Sequence, residues 1–121
     1  MVIRQGEIYW VDFGKPIGSE PGYRRPCVVV QNNVFNSSLI HTVVVCAVTS
    51  TLRLGKAPGN AVLEKGEAGL DKKSVVNVSQ VMTVDKSMLA ESIGMVSKER
   101  LAEILAGLTL LFEPRDIEYK G

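Results

Sequence analysis

The 121-residue sequence has one histidine and two cysteines, which do not make a zinc site, and it has no cluster of His, Asp and Glu at metal-ligand spacing. It also lacks the glycine-rich loop that cradles nucleotide phosphates and the nucleophile elbow of serine hydrolases. His41 opens a predicted strand, where a surface imidazole is a simpler interpretation than a catalytic base. We therefore expect any chemistry in this chain to proceed without a metal, without a cofactor and without histidine.

Long apolar runs are missing as well. The valine-rich run at 43–48 is far shorter than the ~18 residues that a membrane helix needs. No basic and apolar series of the signal-peptide type opens the chain. Cys27 and Cys46 both lie in valine-rich runs, which is typical of buried, reduced thiols. These features predict a cytoplasmic protein.

The sequence does contain enough apolar material for one folded domain, which we predict to span residues 1–121. Hydrophobic residues make up 45% of the chain, as in globular proteins. The net charge is +1, but residues 1–60 carry +3 and residues 61–121 carry −2. A locally basic half can present an anion-binding face, because the field depends on how charges are arranged.

Short runs of β-branched and aromatic residues, bounded by glycine, proline and asparagine, predict strands. They lie at 6–14, 26–32, 41–50, 61–64, 73–85 and 92–96, and a short helix is predicted at 85–90. A longer helix is predicted between an N-cap at Ser97 and Pro114. Its buried face would consist of Leu101, Ile104, Leu105, Leu108, Leu111 and Phe112. This order predicts a mainly β fold, a small curved antiparallel barrel with a C-terminal helix.

Polar residues gather at the predicted strand ends. The loop at 15–25 contains Glu20 and ends in Arg25, and Thr49 lies at the end of the third strand. If the second and third strands are neighbours, the start of one lies beside the end of the other. We therefore predict that Arg25 and Thr49 meet at one rim of the sheet.

Arg25, Thr49 and Glu20 together suit the cleavage of an RNA phosphodiester by its own 2′-hydroxyl. An arginine binds a phosphate through two hydrogen bonds and stabilises added negative charge, and a threonine hydroxyl donates one more. Glu20 is the available proton acceptor in the loop. Simpler interpretations stay open at this point: a solvated Glu20, a strand-capping Thr49, or anion binding without cleavage.

Five features stand in an order and spacing that belong to one family: "RQGEIYWVDFG", "GSEPGYRRP" leading into "VVVQNN", "AVTS", "DKKSVVNVSQVMTVDK" and the final helix. The chain resembles the MazF/PemK (Kid-like) toxins of type II toxin–antitoxin systems. The resemblance implies an SH3-like curved barrel with appended helices, usually a homodimer. It also implies a metal-independent endoribonuclease that cuts single-stranded RNA to leave a 2′,3′-cyclic phosphate and a 5′-hydroxyl. The cognate antitoxin would place an acidic segment in the RNA groove.

The resemblance assigns roles to single residues. The family's catalytic arginine falls on Arg25, its catalytic threonine on Thr49, and the acidic residue of its G-S-E loop on Glu20. The Kid-like branch carries an Arg-x-Asp pair before the glutamine of the fifth strand. This chain has the segment 77–80, "NVSQ", there instead. That departure implies an altered base preference and leaves the general base open.

The remaining candidates are RNA contacts. Tyr23 is predicted to stack on a base, although a loop tyrosine can instead cover apolar surface. Exposed edges of unpaired bases are read by polar side chains. The predicted contacts are Lys15, Arg24, Arg53 and Lys56 to the backbone, Asn77, Ser79 and Gln80 to base edges, and Ser19 and Ser50 in addition. Two rival functions stay open: a gyrase poison of the related CcdB type on the same barrel, and a peptide-binding barrel adaptor.

Overall fold

A computed structural model of the chain describes residues 2–15 and 24–117. The strands are β1 Glu7–Asp12, β2 Arg24–Val29, β3 Thr42–Thr49, β4 Ala61–Leu63, β5 Ser74–Asp85 and β6 Leu89–Met95. The α-helices are α1 Asn33–Asn36 and α2 Lys98–Phe112, and 3₁₀ turns occur at Leu52–Lys56, Glu67–Gly69 and Lys86–Met88. The predicted mainly β fold with a C-terminal helix is confirmed.

The six strands form one antiparallel sheet in the order β4-β5-β3-β2-β1-β6. The longest strand, β5, pairs with β3 in two stretches separated by a change of register. Ala47 pairs with Asn77, but the preceding residue Cys46 pairs with Val81. Three residues of β5 are therefore extra at this point, an extended bulge that bends the strand.

Both faces of the curved sheet are buried. Along β1, Ile8 belongs to a cluster that packs against Ile104 and Leu108 of α2, whereas Tyr9 and Val11 belong to a second cluster. The second cluster also contains buried valines of β2 and β3, namely Val29, Val43 and Val45. Because the strands are buried on both faces, their sequences are nearly continuous runs of β-branched residues.

The C-terminal helix begins as predicted, because the Ser97 side chain accepts a hydrogen bond from the Arg100 backbone at 3.1 Å. Ile104 and Leu108 are buried under it. The predicted burial of its last turn is wrong: Leu111 is 42% and Phe112 69% exposed in the described chain. No helix in the described ranges is long and apolar enough to span a membrane.

Two other boundaries differ from the prediction. The segment 85–90 forms only a 3₁₀ turn at Lys86–Met88, and β6 begins at Leu89 rather than at residue 92. Leu89 pairs with Val11 of β1 and is buried, so sheet pairing overrides the local helical preference. The short helix α1 is an addition that the strand pattern does not contain.

Candidate active site

A cleft of about 670 Å³ opens where β2 begins and β3 ends. Strands contribute one part of its wall, and the loops after β3 and before β5 contribute the other. The lining residues are Trp10, Arg25, Pro26, Ala47, Val48, Thr49, Ser50, Thr51, Gly69, Leu70, Asp71, Lys72, Ser74, Gln80 and Ile93. The cleft thus combines apolar strand residues with two cations, one carboxylate and several hydroxyls.

Strand pairing brings Arg25 and Thr49 to this cleft. In the β2–β3 ladder Cys27 pairs with Ala47, and continuing this register by two residues aligns Arg25 with Thr49. On its other side Arg25 pairs with Val11 of β1. Arg25 is exposed and Thr49 is partly exposed. Pairing with β1 therefore holds the Arg25 backbone in the sheet while the residue stays exposed, and Arg25 and Thr49 line the same cleft.

The Thr49 hydroxyl has a defined local environment. Its Oγ1 accepts a hydrogen bond from the Thr51 backbone N–H at 3.2 Å. The same hydroxyl donates to the Thr51 hydroxyl oxygen at 3.3 Å, a long bond on an exposed surface. Because this bond is long and solvent-accessible, the Thr49 hydroxyl can exchange it for a donation to an anion in the cleft.

The bulge of β5 separates its three predicted contact residues. Gln80 is exposed and lines the cleft. Ser79 is exposed but does not line it, and Asn77 is only 8% exposed. Asn77 donates from Nδ2 to Gln80 Oε1 at 3.1 Å. The structure therefore places Gln80 at the cleft and Asn77 behind it.

None of the four cations predicted to bind the RNA backbone lines the cleft. Arg24 donates to Glu91 of β6 at 3.1 Å, in an ion pair whose side chains are 49% and 69% exposed. Lys15, Arg53 and Lys56 are exposed, and none of the three lines the cleft. Arg25 and Lys72 are the cations that do line it. No group of three or more potential metal ligands occurs in the described residues.

A sequence model of the PemK-like, MazF-like toxins of type II toxin–antitoxin systems matches residues 4–112. This chain belongs to that toxin family. The match covers the whole sheet and the C-terminal helix, so the resemblance seen in the sequence is confirmed over nearly the full length.

Curated relatives and solved structures agree with the family assignment. The toxin is 40% identical over 108 residues to the endoribonuclease MazF6 of Mycobacterium tuberculosis, covering 89% of this chain and 95% of the relative. Its fold is similar to MazF of Deinococcus radiodurans (TM-score 0.71, 28% identity, 92% and 96% coverage). It is also similar to a mycobacterial endoribonuclease solved with its cognate antitoxin (TM-score 0.75, 23% identity, 94% and 99% coverage).

Three predicted site residues of the toxin, Ser19, Glu20 and Tyr23, lie outside the described residues. Of the lining residues that were not predicted, Trp10, Asp71 and Lys72 are the aromatic and charged ones. Trp10 lies between buried Tyr9 and Val11 and is 38% exposed. No sequence signal distinguishes Trp10 from its neighbours, because its exposure follows from the curvature of the sheet.

Proposed function

We propose that this toxin is a sequence-selective, metal-independent endoribonuclease that cuts single-stranded RNA, including mRNA, and is neutralised by a cognate antitoxin. Family membership and the endoribonuclease names of its relatives support the activity. One observation carries the site assignment: Arg25 and Thr49, from two paired strands, line the same cleft.

The proposed reaction is transesterification at phosphorus. A base removes the proton of the 2′-hydroxyl, and the 2′-oxygen forms a bond to phosphorus. The bond from phosphorus to the 5′-oxygen breaks, and an acid returns a proton to that oxygen. The products are a 2′,3′-cyclic phosphate and a 5′-hydroxyl. Arg25 stabilises the negative charge that develops on the phosphoryl oxygens, and Thr49 donates a hydrogen bond to one of them.

Two carboxylates compete for the role of base. The loop residue Glu20 is the assignment that the family resemblance favours. Asp71 is exposed and lines the cleft with Arg25, so it is the second candidate. Comparing Glu20→Gln with Asp71→Asn across pH separates them, since only loss of the base removes the acidic limb of the rate profile.

The remaining residues bind the RNA strand. Lys15, Arg24, Arg53 and Lys56, which are exposed outside the cleft lining, hold phosphates, and Ser19 and Ser50 add hydrogen bonds. Tyr23 and Trp10 offer aromatic faces on which bases stack. Of the three predicted base contacts, Gln80 lines the cleft and reads a base edge, Ser79 adds an exposed hydroxyl, and the buried Asn77 supports Gln80 through its hydrogen bond. Binding should therefore weaken steeply with salt.

The proposal includes two protein partners. The antitoxin occupies the RNA groove, so the two compete for the cleft. A second copy of the toxin completes a homodimer, which the exposed Leu111 and Phe112 support as apolar contact surface. Because the substrate is cellular RNA, the proposal places the protein in the cytoplasm.

The decisive variant is Arg25→Ala, assayed on RNA with excess chelator. We expect its cleavage rate to fall about 100- to 1,000-fold. Arg24→Ala is the matched control, because it removes the neighbouring cation. We expect this variant to bind RNA more weakly and to keep the wild-type cleavage rate at saturating RNA. Undiminished cleavage by Arg25→Ala, or loss of wild-type cleavage in chelator, would contradict the proposal.

The same protein also tests the CcdB-type alternative. A gyrase poison acts by contact, so its expression damages DNA and leaves RNA intact. We expect cut RNA and undamaged DNA after expression. A peptide-binding adaptor would bind no RNA even at low salt, which the same purified protein can exclude.

A further inference from the structure

The side chain of Asn60 is oriented by two backbone groups. The Val78 backbone N–H donates to Asn60 Oδ1 at 2.9 Å, and Asn60 Nδ2 donates to the Leu54 carbonyl oxygen at 2.9 Å. A backbone N–H can only donate and a carbonyl oxygen can only accept. The Asn60 amide therefore has one permitted orientation, with Nδ2 on the side of Leu54.

This orientation is passed to Asn77. Asn60 Nδ2 also donates to Asn77 Oδ1 at 3.2 Å, and the Ser79 hydroxyl donates to the same oxygen at 2.9 Å. Turning the Asn77 amide over would place two NH₂ groups face to face. Because Asn77 is 8% exposed, such a mismatch would be poorly solvated and costly. Asn77 therefore keeps its Nδ2 directed at Gln80.

Asn77 in turn orients Gln80. The donation from Asn77 Nδ2 occupies Gln80 Oε1 at 3.1 Å. Within the part of the chain that the structure describes, Gln80 Nε2 has no hydrogen-bond partner. Gln80 lines the cleft, and the donor that it leaves unpaired within the described residues is Nε2.

We propose that Asn60 and Asn77 are positioning residues that fix which end of the Gln80 side-chain amide faces the cleft. The toxin thereby selects a keto base, G or U, at the position where Gln80 contacts the RNA. The exocyclic O6 of G and O4 of U accept hydrogen bonds, whereas the exocyclic amino groups of A and C donate them. At the exocyclic position of the base, an outward Gln80 Nε2 pairs with the first class and opposes the second. This inference rests on the proposed function, because it names the base that the RNA cleft prefers.

The hydrogen-bonded relay that runs from Asn60 through Asn77 to Gln80 is anchored to the C-terminal helix. Gly59, directly before Asn60, has φ +76°, and its backbone touches Gly107 of α2. A Cβ at Gly107 would clash with the Gly59 carbonyl oxygen. The helix thus holds the loop that positions Asn60, although neither glycine approaches the cleft lining.

Asn77→Asp tests the relay at its centre. An aspartate at this position keeps accepting from Asn60 and Ser79 but cannot donate, so Gln80 must turn its Nε2 inward and its Oε1 into the cleft. The preferred base should change from G or U to A or C. Asn60→Asp should produce the same change from a residue that does not line the cleft. Gln80→Glu places an acceptor in the cleft whether or not the relay exists. It therefore shows which base is preferred when an acceptor replaces the donor.

Asn32→Asp is the matched control for the added charge. Asn32 caps α1, and its side chain accepts from the Val34 N–H at 2.8 Å, a bond that aspartate makes equally well. The measurement is 5′-end sequencing of RNA cut by each purified variant, followed by rates on oligonucleotides with each base at the selected position. We expect the keto-to-amino rate ratio to fall roughly ten- to hundredfold in Asn77→Asp. An unchanged ratio in Asn77→Asp, with a reversed ratio in Gln80→Glu, would overturn the relay.

A second readout needs no RNA. In the free wild-type protein, the side-chain amide protons of Asn60 and Asn77 should exchange slowly with solvent in ¹⁵N NMR spectra, and those of Gln80 should exchange fast. In Asn77→Asp the Gln80 amide should gain protection. Protected Gln80 protons in the wild type would overturn the relay. If the wild type cuts no RNA, the proposed function and the base selection both fall, while the exchange data still decide whether the relay exists.

Discussion

The ion pair between Glu67 and Arg100 joins the loop that walls the cleft to the C-terminal helix. Arg100 donates from Nε to Glu67 Oε2 at 2.7 Å and from Nη2 to Glu67 Oε1 at 2.9 Å. The two side chains are 24% and 23% exposed, so water screens this pair less than a surface ion pair. Arg100 also donates to Glu103 at 2.7 Å and keeps that partner when Glu67 is changed.

The expected coupling energy follows from this geometry. A hydrogen bond to a charged group contributes about 1.5–3 kcal/mol, whereas an exposed ion pair contributes about 0–1 kcal/mol. A bidentate pair at one-quarter exposure lies between these limits, so we expect a coupling of about 1–2 kcal/mol. Urea unfolding of the wild type, Glu67→Gln, Arg100→Met and the double variant measures this coupling as a double-mutant cycle.

The coupling should depend on pH in one direction. The hydrogen bond from Arg100 is the main reason that the pKa of Glu67 lies below its usual value. A carboxyl whose pKa is lower in the folded than in the unfolded state stabilises the fold above its unfolded pKa, about 4.3. That contribution disappears as the pH falls through the folded value. A coupling below about 0.3 kcal/mol at pH 7, or one that persists unchanged toward pH 3, would refute this reasoning.

Three further predictions concern the helix, the thiols and the RNA surface. Replacing Gly107 by alanine would gain about 1 kcal/mol of helix propensity, but the new methyl group would clash with the Gly59 carbonyl oxygen of the facing loop. We therefore expect a lower urea midpoint of unfolding. A higher midpoint would contradict the close approach of the two backbones. Burial raises the pKa of the Cys27 and Cys46 thiols to about 12. Ellman's reagent at pH 8 should therefore label neither thiol before denaturant is added, and rapid labelling of the folded protein would be the contrary result. Arg53→Ala and Lys56→Ala should each reduce the slope of log affinity against log salt by about 0.7, measured by fluorescence anisotropy with a non-cleavable oligonucleotide; an unchanged slope would remove that residue from the RNA surface.

The strands and the long helix could be predicted because their signals are local. β-Branched runs bounded by turn residues mark β2 and β3, and the Ser97 cap marks the start of α2. The four-residue helix α1 could not be predicted, since it is too short for any periodicity. It depends on the Asn32 cap and on Asn36, which bonds both Gln31 and Asn33.

The candidate site could be predicted only in part, because some of its geometry depends on contacts between residues distant in sequence. Arg25 and Thr49 could be placed together because antiparallel neighbours bring a strand start beside a strand end. The bulge of β5 has no recognisable pattern in the sequence. The separation of Gln80 from the buried Asn77 could therefore be seen only in the structure. Trp10 and Asp71 reach the cleft through the curvature of the sheet and a loop, which depend on contacts distant in sequence.

The most direct test of the account is cleavage of an RNA oligonucleotide in which one nucleotide, immediately 5′ to the cut, lacks its 2′-hydroxyl. With chelator present, we expect the unmodified RNA to yield a 2′,3′-cyclic phosphate and a 5′-hydroxyl, identified by mass spectrometry. We expect the 2′-deoxy substrate to bind with similar affinity and not to be cut. Cleavage of the 2′-deoxy substrate at the same position would contradict attack by the 2′-hydroxyl.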